Sequence, residues 1–137
     1  MRRRLMILIA ASLLAISAAP NTGKLPPETS AVIDRVRQAA ERSDWAALRK
    51  SMVREFMWSF GGDRDADQAI QEWKNRPEYA RELNWVLRLG CHVDTTRYGG
   101  ETKAERIKCD GIGGLHFRAG FINTPEGWKL EYFVAGD

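Results

Sequence analysis

The residues whose types and spacing could do chemistry together are Cys91, His92 and Asp94, then Cys109 and Asp110, then His116. Thiolates, imidazoles and carboxylates in that number could meet the four-ligand, tetrahedral demand of zinc. The paired ligand spacings of structural zinc sites are absent, however, and oxidised thiols have nothing left to give a metal. Cys91 and Cys109 are the only cysteines in the chain. In an oxidising compartment the expectation for such a pair is a disulfide, closing the loop that holds Tyr98-Gly99-Gly100. A ring of that size is worth about 3 kcal/mol in the chain-entropy picture. The sequence therefore predicts a structural Cys91–Cys109 bridge and neither a metal nor any other cofactor.

Other motifs fail on inspection. Asp63-x-Asp65-x-Asp67 opens like a calcium loop, but Gln68 stands where that loop needs Gly and Lys74 where it needs Glu. Acids at the positive end of a helix explain the run better. Gly111-x-Gly113-Gly114 leads into a strand instead of opening a helix, so it is no phosphate cradle. There is no G-x-S-x-G, and neither histidine lies in a hydrolase motif. Asp94 and His116 could meet in a cleft, although nothing in their spacing requires it. The chain leans against an enzyme, and no catalytic residue is assigned. Candidate ligand contacts are Trp58, Trp85, Tyr98, His92, Asp94 and His116. Trp45, Trp58, Trp73 and Trp128 fall on apolar faces and suit a core. Trp85 lies off the stripe of its helix, where an exposed ring could stack on a flat ligand.

The elements that must position these residues begin after an address. Arg2-Arg3-Arg4, the apolar run Leu5 to Ile16 and Ser17-Ala18-Ala19 follow the order of a secretory signal peptide, residues 1–19. About a dozen apolar residues fall short of the roughly 20 that span a bilayer. The expectation is cleavage after Ala18 or Ala19, Ala18 being favoured by Pro20, with an uncleaved anchor as the alternative. Such a product is exported, periplasmic or secreted, with no membrane span. The full chain has 21 basic and 18 acidic residues, and removing the three N-terminal arginines leaves 18 against 18. No cationic surplus remains to neutralise phosphates, which argues against nucleic acid. The expected partner is an envelope protein or a small ligand.

Residues 20–29 read as a flexible leader and residues 30–137 as a single domain of usual size. Thr29 or Ser30 can cap a helix with Val32, Ile33, Val36, Ala39 and Ala40 on one face. A break at Ser43-Asp44 starts a second short helix through Trp45, Leu48 and Met52. Phe56, Trp58 and Phe60 alternate as a strand over Glu55 to Gly62. Two helices follow, one through Ala66, Ala69, Ile70 and Trp73, the other from Pro77 through Tyr79, Leu83, Val86 and Leu87 to Gly90. Short strands are expected at Cys91–Val93 and Ala104–Cys109. Leu115, Phe117, Ala119 and Phe121 then alternate with polar or small neighbours, as Trp128, Leu130, Tyr132 and Val134 do against Lys129, Glu131 and Phe133. With Asn123 to Gly127 as a turn, these make an antiparallel hairpin. The fold class is α+β: N-terminal helices on a small, mainly antiparallel sheet that ends in a C-terminal β-hairpin.

This order of elements, with Ser43-Asp44-Trp45-x-x-Leu48 at the helix break, resembles the nuclear-transport-factor-like (cystatin-like) fold over most of Ser30 to Asp137. Trp58 to Asp63 (W-S-F-G-G-D), Arg118 to Phe121 (R-A-G-F) and Phe133 to Asp137 (F-V-A-G-D) are similar to stretches of small exported Gram-negative domains of unknown function. The first resemblance implies a bent sheet wrapping a helix around a cone-shaped pocket. It transfers no catalytic residue, and such folds host enzymes and binding modules alike. The expected function is non-catalytic binding of a small ligand or an envelope protein. The alternative is a pocket isomerase or hydrolase using His92, His116 or Asp94 as acid or base. A third reading pairs the hairpin edge with another protein and requires an apolar patch near Ile122 or Phe133.

Overall fold

The computed structural model of the protein describes residues 24–59, 63–94, 104–110 and 117–135. The signal segment, Phe60, Tyr98 and His116 lie outside the described residues. The first helix, α1 (Pro27–Glu41), starts inside the stretch read as leader. Pro27 suits a first turn because its missing N–H would have no partner there. Thr29 is buried within that turn and its hydroxyl donates to the Pro26 carbonyl at 2.6 Å. Leu25 packs against the core. Val32, Ile33, Val36, Ala39 and Ala40 form the buried stripe, as their spacing predicts.

Ser43 takes the left-handed conformation (φ 52°) and Asp44 caps α2 (Trp45–Ser51), its carboxylate accepting from the Ala47 amide at 3.0 Å. Strand β1 (Met52–Met57) follows with no connection. Local spacing alone continues the helix to Met52 and starts the strand at Glu55. Pairing of Met52 with Leu130 overrides that local pattern. The acids that imitated a calcium loop do helical work. Asp65 caps α3 (Ala66–Asn75) by accepting from the Asp67 and Gln68 amides at 2.8 and 2.9 Å. Helix α4 (Glu78–Leu89) follows Pro77 and stops at Gly90, whose φ of 120° is open to glycine.

Strands β2 (His92–Val93), β3 (Arg106–Cys109), β4 (Phe117–Thr124) and β5 (Gly127–Ala135) complete a five-stranded sheet among the described residues, in the order β1-β5-β4-β3-β2. Only β1 with β5 is parallel; the other pairs are antiparallel. The helices cover one face: α4 contacts β3 and β4, α3 contacts β1, and α1 lies on α4 and β5. Phe56, Trp73, Leu83, Ile107, Phe121, Leu130 and Phe133 meet there in one core. The Cys91–Cys109 disulfide is formed and joins the segment after α4 to the buried end of β3.

The hairpin departs from its sequence pattern twice. Its loop is the two residues Pro125-Glu126, because Thr124 already pairs with Gly127, whose φ is 99°. The larger departure is a β-bulge. Gly120 faces Tyr132 and Phe121 faces Leu130, so Glu131 is an extra residue with no partner opposite. It reverses the remaining alternation. Trp128 and Leu130 face the helices as predicted, but beyond the bulge Phe133 turns inward and Tyr132 turns out.

Tyr132 lies across Gly120, where a Cβ would clash with the Cε1–Cζ edge of the phenol ring. Gly120→Ala is therefore expected to push the ring aside and cost about 1–3 kcal/mol. A denaturant midpoint unchanged from wild type would contradict that contact. In a Tyr132→Ala background the same glycine substitution should cost far less.

Candidate functional site

The bulge decides what the sheet presents on the face that no described helix covers. Glu131 and Tyr132 sit together on it, beside Arg106, Lys108 and Gly120. One row crosses all five strands: His92, Lys108, Gly120, Tyr132 and Met57. Arg106 grips Glu131 at two points, Nε–Oε2 3.0 Å and Nη2–Oε1 3.1 Å. Lys108 Nζ lies 2.9 Å from Asp110 Oδ2, and His92 Nδ1 lies 3.8 Å from the other oxygen of that carboxylate.

Burial, then the nearby Asp94 and Glu131 charges, push the Tyr132 hydroxyl up to about 12, with Arg118 acting against them. Folding thus favours the neutral phenol. Its contribution to stability is complete below pH 10 and is lost as the pH rises through about 12. An ultraviolet titration should find one phenolate forming near pH 12, and Gly120→Ala should move it back toward 10 by displacing the ring.

Beside this cluster a groove of about 400 Å³ runs over β5 between β1 and β4. Val53, Met57 and Ile122 give it an apolar floor. Arg54, Glu55 and Arg64 come from β1 and the bridge residue opposite Met57, and Glu131 comes from the bulge. Thr124 closes one end, its hydroxyl donating to the Gly127 carbonyl at 2.7 Å and accepting from the Glu126 amide at 3.2 Å. Such a volume lies within the range of small-ligand sites. The groups along it can hold charge and shape. Among the described residues they include no thiol, imidazole or hydroxyl poised beside a base.

The predicted site residues are scattered by comparison. His92 is exposed on β2, its Nδ1 facing Asp110 instead of a cleft. The Asp94 amide donates to the Arg106 carbonyl at 2.9 Å, which sets that carboxylate at the edge of the Tyr132 cluster. Trp85 is 53% exposed on α4, away from the sheet's open face. Trp58 is half-buried against the core, and its indole N–H is buried with no hydrogen-bond partner among the described residues. The helix-covered side is filled with aromatic rings. Trp73 meets Phe56 and Phe133 edge-on with centroids 5.8 and 5.6 Å apart, and Phe117 stacks on Phe133 at 5.2 Å. Arg54, Glu55, Arg64 and Glu131 escaped the sequence reading. Their one legible signal is the polar alternation of β1 and β5 opposite its aromatic and aliphatic residues.

No known protein-family profile matches the chain, and no curated protein matches it. Among solved structures it is similar to an NTF-2-like protein of unknown function from Shewanella oneidensis MR-1, at 11% identity and a TM-score of 0.45 over 80% of this chain and 97% of that one. An NTF2-like protein with a cystatin-like fold from Novosphingobium aromaticivorans gives 18% identity and a TM-score of 0.41 over 80% and 79%. A cystatin-like protein of unknown function from Nostoc punctiforme PCC 73102 gives 10% and 0.42 over 80% and 87%. These neighbours are of the kind that the element order resembles.

Proposed function

We propose that the protein is an exported, disulfide-stapled domain that binds a small ligand or an envelope partner without transforming it. The observation that carries this reading is the groove on the open sheet face, with an apolar floor of Val53, Met57 and Ile122 and a charged rim. Ile122 lines the groove, whereas Phe133 is buried in the core. The groove's arginines and glutamates suit recognition, and its one hydroxyl is already engaged within the hairpin turn. Export is supported by the signal-like N-terminal segment and by the disulfide. Among the described residues no helix is long and apolar enough to cross a membrane.

The test is a methyl-resolved NMR titration of the disulfide-bonded protein with a solvent extract of the envelope fraction. Shifts confined to Val53, Met57 and Ile122 are the expected result. Shifts at Leu83 and Val86, on the helix-covered side, would move the site into the interior and revive the pocket-enzyme alternative.

A further inference from the structure

The groove's charges are not equivalent. Glu131 is engaged by Arg106 through two contacts near 3 Å, whereas Glu55 is exposed and has no such partner among the described residues. Neither Arg54 nor Arg64 has a side-chain hydrogen bond or salt bridge among the described residues. Arg54 feels the field of Asp67, a carboxylate already paired with Arg49. Two guanidinium groups without a salt bridge among the described residues thus stand beside an apolar floor, with Glu55 as the groove's one carboxylate lacking such a partner. Arginine holds a carboxylate through paired N–H donors, and a floor of Val, Met and Ile takes an alkyl chain. A volume of about 400 Å³ holds roughly a dozen heavy atoms at about 30 Å³ each.

Resting on the binding reading above, we infer that the groove takes a monomeric anionic amphiphile, a medium-chain alkyl carboxylate. Its tail lies on Val53, Met57 and Ile122, and its head pairs with the guanidinium groups of Arg54 and Arg64. A free molecule fits better than a bilayer. The large hydrophobic side chain exposed among the described residues is Trp85, which lies on α4 and cannot act as a wedge beside the groove.

The test uses sodium decanoate below its micellar concentration, with decanol and phosphatidylglycerol vesicles as comparisons, read by calorimetry and methyl NMR on the disulfide-bonded protein. Decanoate should bind one to one and shift the Val53, Met57 and Ile122 methyls. Arg54→Gln and Arg64→Gln should each weaken it about tenfold, while Glu55→Gln should tighten it. All three positions are exposed, so the variants should fold. Decanol binding as tightly as decanoate, with the arginine variants indifferent, would overturn the anion assignment and leave the binding reading standing. Vesicles binding in preference to the monomer would overturn the free-ligand source. No shift with any probe would overturn the groove as an amphiphile site, and the envelope-extract titration would then judge the binding reading separately.

Discussion

Replacing Trp73 by Ala is expected to remove about 3–5 kcal/mol of folding stability, because it is the largest fully buried side chain among the described residues. Trp73 is 1% exposed. Its ring is the meeting point of α3, β1, β5 and the start of α4, with Phe56, Phe133 and Tyr79 at centroid distances of 5.8, 5.6 and 6.5 Å. Removing it forfeits the transfer energy of a whole indole and leaves a cavity that helices and sheet cannot jointly close. Its two edge-on contacts add about 0.5–1.5 kcal/mol apiece. Domains of this size are held by about 5–15 kcal/mol in total, so the variant should be near the edge of folding. Urea titration followed by far-ultraviolet circular dichroism measures it. Trp73→Phe should fall between the two. A Trp73→Ala protein within 1 kcal/mol of wild type would contradict the packing described, by the same scale.

Breaking the Cys91–Cys109 bond is the second large effect. The residues are 18 apart in sequence, and the bond constrains a loop that the unfolded chain would otherwise leave free. Its removal should cost about 3 kcal/mol. For a domain of this size that is a fall in Tm of roughly 10–15 °C. Cys109 is fully buried, so reductant should act slowly under native conditions and quickly once denaturant opens the core. A Cys91→Ala/Cys109→Ala double variant should match the reduced wild type and ignore dithiothreitol. If reduction left the wild-type midpoint unchanged, the staple would have no energetic role.

Much of the fold was legible because its signals are local. The α1 stripe, the Ser43-Asp44 break, the aspartates that start α3 and the Gly90 stop each depend on neighbours within one or two helical turns. The cysteine pairing was legible from their number alone. What failed was long-range. Met52 belongs to a strand because Leu130, far along the chain, pairs with it. Glu131 is a bulge because two strands disagree in register, and strict alternation carries no mark of an inserted residue. That one residue exchanged the faces of Tyr132 and Phe133. It also brought Glu131 to the groove, so the bulge hid both the end of the core pattern and part of the candidate site. Gly120 held the missing clue, since a glycine in mid-strand often marks a ring lying across it. Arg54, Glu55 and Arg64 gave no signal by type, because exposed charges at a sheet edge are also what a strand uses to avoid aggregation.

The most direct measurement is native mass spectrometry of the protein purified without reductant from the exported fraction. The expected species is a chain lacking its first 18 or 19 residues and lighter by two hydrogens, carrying an organic molecule that an Ile122→Glu substitution releases. A full-length chain with both thiols reduced and nothing bound would contradict export, staple and binding together.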